Sequence, residues 1–249
     1  MRTAIISDIH ANLEALEAVC QRAAGLGVEA WVCLGDIVGY GVDPAACLAR
    51  VRSLTEVVVL GNHDAAAAGL LGTHEFSAPA RRAVEWTASR LSEAERAWLA
   101  SLPLTRERGS CLFVHAEPRA PASWGYVLSA DEAADALQAT AAHHCFIGHS
   151  HHPFVCAARQ GWAIHRRWLE WLPVGPAPVL LEGNRRYLVN VGSVGQSRDG
   201  DPRACFVVWD EEQASLQFVR TPYDVAGAQA KIRAAGLPAS LAERLAGGN

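Results

Sequence analysis

The sequence predicts an α/β fold, and three observations carry the prediction. Short apolar runs alternate with helix-like stretches up to residue 148, strands follow one another closely after residue 160, and the early apolar runs end in Asp, Asn or His. "TAIIS" (3–7) reads as a strand, "ANLEALEAVCQRA" (11–23) carries apolar residues at helical spacing, and "AWVCL" (30–34) is a strand again, giving a βαβ unit. The pattern continues with a helix from Pro44 to Val51, the strand "EVVVL" (56–60), helices across 77–100, the strand "CLFVH" (111–115), a helix over 130–140 and the strand "HCFIG" (144–148). Strands joined through helices imply a largely parallel, covered sheet. Beyond residue 160, strands over 162–169, 178–182, 186–191, 204–210 and 214–220, with turn signals such as "EGN" and "DGDP", read as antiparallel. Helices over 224–235 and 239–246 follow. With no repeat and no linker, residues 1–249 read as one domain.

Composition narrows the partners. The 26 acidic and 22 basic residues leave a formal charge of −4 and gather no long basic run, which disfavours sequence-independent nucleic-acid binding. "MRTAIIS" enters a strand at once instead of a signal peptide, and no apolar run nears the roughly 20 residues of a membrane span, so a cytoplasmic protein without membrane partners is expected. The seven cysteines are scattered, never spaced CxxC, and several lie within strand-like runs (Cys33, Cys111, Cys145, Cys205), where reduced buried thiols are expected.

The chemistry collects where strands end. Asp8 and His10 follow the first, Gly35-Asp36 the next, Gly61-Asn62-His63-Asp64 "EVVVL", His115 ends "CLFV", and Gly148-His149-Ser150-His151 follows "CFI". In open α/β sheets the carboxyl edge is where loops converge on ligands. Alone, each Asp reads as a cap or turn residue and each His as a structural one. Jointly they supply carboxylates, an amide oxygen and imidazoles at one edge, a donor set for metal ions. In an extended segment, residues i and i+2 point the same way about 6.5–7 Å apart, so Asp8/His10 and His149/His151 can each aim two ligands at one place. A metal pair about 3.5–4 Å apart fits such convergence, with Asp36 the carboxylate suited to bridge.

"SDIH", "GD", "GNHD", His115 and "GHSH", in this order, resemble the calcineurin-like metallophosphoesterases, whose signature is D-x-H, GD, GNH[DE], a lone H and GHxH. Longer matches, "SDIHANLEALEAV", "CLGDIVGYG" and "GSVGQSRDGDPRA" (192–204), look like a branch of small bacterial phosphoesterases and extend the likeness over nearly the whole chain. The resemblance implies a four-layer α-β-β-α sandwich of two mixed sheets flanked by helices. It implies that Asp8, His10, Asp36 and His151 hold one divalent metal and Asp36, Asn62, His115 and His149 a second, with manganese or iron expected first and zinc or nickel also compatible. It further implies that a bridging hydroxide hydrolyses a small or nucleotide-like phosphate ester, with monoesters, diesters and dinucleoside polyphosphates all open. His63 is then the acid that protonates the leaving group or stabilises the developing charge. Asp64 is expected to hydrogen-bond its ring and raise its pKa.

One departure is "GDIVGYG", where many phosphoprotein phosphatases of the superfamily read GDxxDRG. Gly39 and Tyr40 stand in place of Asp and Arg, so a phosphate-contacting arginine must come from elsewhere, with Arg119 and Arg198 the candidates. "NVGS" (190–193) reads as a loop near the site or a plain strand-end turn. The Trp-rich segment "GWAIHRRWLEWLP" (161–173) reads as a cover for the sheet or a contact between copies in a homo-oligomer, or else as a lid or base-stacking surface. His152 reads as a rim residue, and His74, His143, His144 and His165 as bystanders. A nuclease of the same superfamily and a non-catalytic metal-binding scaffold are the alternatives.

Overall fold

The structure, a computed structural model, describes residues 1–161 and 164–249. In chain order its elements are β1 (Arg2–Ile6), α1 (Leu13–Ala24), β2 (Ala30–Cys33), α2 (Pro44–Leu54), α3 (Asn62–Ala67), α4 (Ala78–Arg90), α5 (Glu93–Ala100), β3 (Thr105–Arg108), β4 (Cys111–Val114), α6 (Ala130–Gln138), β5 (His144–Ile147), β6 (Phe154–Arg159), β7 (Glu170–Leu172), β8 (Val179–Leu180), β9 (Arg185–Asn190), β10 (Ala204–Asp210), β11 (Ser215–Thr221), α7 (Val225–Ala234) and α8 (Ala239–Gly247). Two mixed sheets form, in the orders β2-β1-β10-β11-β8 and β3-β4-β5-β9-β6-β7.

Strand alternation builds the layers. Ala4 and Ile6 of β1 face one core with Leu16 and Val19 of α1 and Leu48 and Val51 of α2, whereas Ile5 faces the other sheet. On β10, Ala204, Phe206 and Val208 join the helix side while Cys205, Val207 and Trp209 point between the sheets. The second sheet mirrors this: Phe113, Phe146 and Val189 fill the space between sheets, and Val114, Ile147 and Leu188 meet Ala133 and Leu137 of α6. Three apolar interfaces therefore stack helix, sheet, sheet and helix, as the period of two in each strand requires. A fourth cluster packs Ile232 of α7 and Leu241 and Leu245 of α8 against Ala80 and Ala83 of α4 and the Tyr40 ring.

Several details differ from the sequence reading. "EVVVL" makes one bridge, Cys33 to Val58, because Leu60 N–H turns away to donate to the Pro103 carbonyl. The second half is not purely antiparallel, since β9 pairs parallel with β5 and antiparallel with β6, joining the two regions into one sheet. The strand expected over 162–169 gives way to a short 3-10 turn at Arg166–Trp168, and β7 begins only at Glu170; Trp162 and Ala163 lie outside the described residues. Strands β3 and β6 and helix α3 were not anticipated. β3, "TRER", carries no apolar residue and forms only by pairing with β4 across the turn at Gly109. Among the described residues no helix is long and apolar enough to cross a membrane, and all seven cysteines are buried and free of disulfides.

The central layer gives a stability prediction. The Phe146 ring is fully buried between the sheets and stacks on Phe113 at 5.5 Å. Phe146→Ala should cost about 3–5 kcal/mol in urea unfolding; a loss under about 1 kcal/mol would mean that this interface is not the main core.

Candidate metal centre and active site

The loops after β1 and β2 are laced together by backbone hydrogen bonds. Asp8 N–H donates to Gly35 O (3.1 Å), His10 N–H to Asp36 O (2.9 Å) and Ala11 N–H to Ile37 O (2.8 Å). Asp8, His10, Asp36, His149 and His151 all adopt left-handed backbone, with φ between 50° and 65°. The pairs Asp8/His10 and His149/His151 therefore converge through turns and not through the extended backbone expected of them. Left-handed non-glycine residues store strain that surrounding structure must offset, and such residues gather at functional sites. Here Ser193 Oγ–H donates to Asp8 O (2.9 Å), Gly195 N–H to the same carbonyl (2.9 Å), and Asn190 Nδ2–H to Gly148 O (2.7 Å). The "NVGS" stretch is thus a brace beneath two ligand loops.

Two glycines explain the spacing of the blocks. A Cβ at Gly61 would overlap the Asp36 carboxylate, and one at Gly148 would overlap Ser7 Oγ and the Asp8 carboxylate. Each loop can approach its neighbour's acid only without a side chain.

The structure brings the predicted ligands other than Asn62, together with His63, into contiguous clusters: Asp8, His10 and His151; His10, Asp36 and His63; Asp36, His115 and His149. Each ligand imidazole is fixed from behind by a backbone carbonyl. His10 Nδ1 faces Val38 O (3.2 Å), His115 Nδ1 faces Leu34 O (2.8 Å), His149 Nε2 faces Trp124 O (2.9 Å), and His151 Nδ1 faces Gln196 O. A carbonyl can only accept, so the proton sits on the outer nitrogen of each ring and a lone pair points inward. Those inner nitrogens lie close together: His10 Nε2 to His151 Nε2 is 3.1 Å, and His115 Nε2 to His149 Nδ1 is 3.2 Å. Asn62 Oδ1 stands 3.2 Å from His115 Nε2.

Burial holds the rings neutral. It pushes the His10, His115, His149 and His151 pKa values down, that of His149 to about 3. Paired lone pairs repel unless a cation lies between them, and two nitrogens about 2.0–2.1 Å from one ion stand roughly 3–3.4 Å apart. Among the described residues Asp8 Oδ1 is buried without a hydrogen-bond donor, another atom that a cation would satisfy. Burial, then the nearby Asp64 and Asp8, raises the Asp36 pKa well above its ordinary value, the response of a carboxylate crowded by like charge. Neutral nitrogens, crowded acids and an orphaned oxygen all fit divalent metal.

Asp64 departs from the expected role. Its Oδ1 accepts from Val38 N–H (3.0 Å) and its Oδ2 from Gly61 N–H (3.3 Å), capping α3 and fastening the Ile37–Val38 turn, and burial raises its pKa to about 7. The His63 ring makes no hydrogen bond with it, and among the described residues His63 Nδ1 is buried without a partner. Consequently the His63 pKa moves down, first through burial and then through His151 and Arg198, instead of up. Consecutive helical residues do not face each other, so His63 and Asp64, both on α3, diverge. His63 instead lies between the Tyr40 ring (4.5 Å) and the Phe76 ring (5.0 Å).

Of the two arginines considered, Arg198 lines the cavity that contains Asn62, His63 and His149, while Arg119 pairs with Asp135 at 3.0 Å outside it. His152 is exposed and its Nδ1 faces its neighbour's carbonyl, Ser150 O. His143 and His144 sit at the far end of β5 from the ligands. Sequence reasoning missed Tyr40 as a wall of the cavity, Trp124 as the carbonyl behind His149, and Tyr126, which stacks on the His149 ring at 4.1 Å. The "GYG" departure marked Tyr40 only by what it lacked, and nothing local marks the other two.

Because Gly148 admits the backbone that holds Asp8 and His149, Gly148→Ala should weaken metal affinity about 10–100-fold with circular dichroism unchanged. Unchanged affinity in a calorimetric metal titration would contradict this account of the loop.

A model of the calcineurin-like phosphoesterase superfamily domain matches residues 1–214. An uncharacterized protein of Methanocaldococcus jannaschii is 37% identical over 246 residues, covering 97% of this chain and 96% of its own length. The crystal structure of a metallophosphoesterase from Sphaerobacter thermophilus superposes with a TM-score of 0.87 at 41% identity, covering 100% of this chain and 99% of that one. A hypothetical protein from Pyrococcus horikoshii shares the fold with a TM-score of 0.79 at 18% identity, covering 100% and 98% of the two chains. With a family model that matches residues 1–214 and a metallophosphoesterase structure that superposes over its full length, the chain belongs to the calcineurin-like phosphoesterase superfamily and is a phosphoric ester hydrolase.

Proposed function

We propose that Asp8, His10, Asp36 and His151 hold one divalent ion, that Asp36, Asn62, His115 and His149 hold a second, and that phosphate esters are hydrolysed at this pair. The observation that carries the reading is the position of Asp36 Oδ2, 3.7 Å from His10 Nε2 and 3.5 Å from His115 Nε2, so that one carboxylate oxygen faces both groups of imidazoles. When bound, two cations supply a water of lowered pKa and neutralise charge on the phosphoryl group. Nitrogen and oxygen donors without thiolate suit manganese or iron first and also accept zinc or nickel. Reduced, buried cysteines accord with a cytoplasmic site of action.

The chain's own residues then position the substrate and move its proton. Asp36 Oδ1 accepts from His63 N–H (2.8 Å), tying the start of α3 to the shared ligand. The His63 ring, beside His10 at 4.9 Å, is the acid that protonates the departing oxygen. Burial lowers its pKa, and the charge of an anionic substrate favours the imidazolium that the step requires. Asp64 acts at one remove, by holding α3 and the turn before Gly39.

Metal-stripped protein reconstituted with each ion in turn should hydrolyse a chromogenic phosphate monoester, its bis-ester, or both. No turnover with any ion, despite two bound per chain, would favour a binding scaffold. His63→Ala should keep its metal and lose about 10²-fold or more on a poor alkyl leaving group, and less on nitrophenolate, which leaves without a proton. Loss of metal in that variant would make His63 a ligand instead, as its place beside His10 and Asp36 permits.

A further inference from the structure

The cavity above the cluster has a volume of about 460 Å³, and two of its walls carry arginine. Arg198 follows the loop that braces Asp8, and its Nη2–H donates to Tyr40 Oη (3.3 Å) and Gln196 Oε1 (3.5 Å). Arg244 comes from α8, beyond the stretch shared with the family model. Both are half-buried, and among the described residues neither forms a salt bridge. That sets them apart from half-buried neighbours such as Arg220, which pairs with Asp199. A guanidinium drawn partly out of water without a carboxylate is costly unless a ligand supplies the counter-charge. Its planar fork matches phosphate geometry.

The two charges lie at different depths. Arg198 hydrogen-bonds the Tyr40 hydroxyl, and the Tyr40 ring lies 4.6 Å from that of His10, whereas Arg244 reaches the cavity wall from α8. Positive charge thus runs outward from the cluster, past Arg198 and Tyr40, to Arg244. A single phosphoryl group engaged at the ligands leaves the outer guanidinium unanswered.

We propose that Arg198 and Arg244 bind a second phosphate of the substrate, so that the preferred class is a doubly phosphorylated compound with one phosphate at the cluster and the next at the arginines. The inference rests on the phosphoesterase reading of the cluster. Two arrangements share this chemistry: adjacent phosphates in an anhydride, and phosphates separated on one small molecule.

The test is calorimetric binding of inorganic phosphate, pyrophosphate and fructose 1,6-bisphosphate to the metal-loaded full chain, with metal content measured on the same samples. Pyrophosphate or the bisphosphate should bind at least about tenfold tighter than phosphate, the gain expected of one charge-assisted pair. Whichever does so identifies the arrangement. That preference should collapse in Arg244→Gln and in Arg198→Gln, be partly restored in Arg198→Lys, and persist in Arg233→Gln, which removes the same charge from an exposed position on α7. No preference in the unaltered protein, or one that survives both glutamine substitutions, would overturn the proposal. Ester turnover measured alongside keeps the readings apart: turnover without preference sinks only the arginine site, and preference without turnover sinks only the phosphoesterase reading.

Discussion

Four inward-facing lone pairs set the terms for the rest of the molecule. Because Val38, Leu34, Trp124 and Gln196 each offer a carbonyl to the outer nitrogen of a histidine, His10, His115, His149 and His151 have no freedom of tautomer. Their inner nitrogens meet at 3.1–3.2 Å with nothing between them to donate. Such an arrangement is repulsive in itself and stable only around positive charge, so the carbonyl cage selects metal binding before any particular ion is considered.

Holding that cage costs the fold elsewhere. Five ligands take left-handed backbone, and the Asp36 and Asp64 carboxyls are buried with raised pKa values. Residues at positive φ cost of order 1–3 kcal/mol each, which loops alone could not sustain. The two-sheet sandwich can, because β1, β2, β4 and β5 deliver their carboxyl ends to one edge while three apolar interfaces lock the strands that carry them. The braces from Asn190 and Ser193 extend that rigidity into the loops. The parts that shape the cavity, Tyr40, Phe76 and α8, rest on a separate small cluster with α4 and α7. Cavity shape can therefore vary while the ligand cage is kept.

Much of this was legible in the chain. The continuous apolar runs "TAII" and "ACFVVW" placed strands correctly, because a strand with both faces buried must be apolar on each. The ligand blocks were legible because only a few side chains offer lone pairs to a cation, and they recur where strands end. What escaped was set by backbone and distance. The left-handed turns at Asp8, His10, His149 and His151 leave no residue signature, since glycine is absent where it would advertise them. Carbonyls have no letter in the alphabet, so Trp124 and Gln196 could not be read as partners. Adjacency suggested that Asp64 would serve His63, yet α3 begins at Asn62, and helical neighbours point apart. Arg244 lies 46 residues beyond Arg198 in sequence and reaches the same cavity only through the packing of α8.

The central claim, that Asp36 joins two metal positions in one centre, is tested most directly by electron paramagnetic resonance of the manganese-loaded protein during a metal titration. The account predicts two ions per chain and a spin-coupled signal that replaces the isolated six-line spectrum as the second ion binds. Saturation at one ion per chain, or two ions whose spectra stay uncoupled, would contradict it.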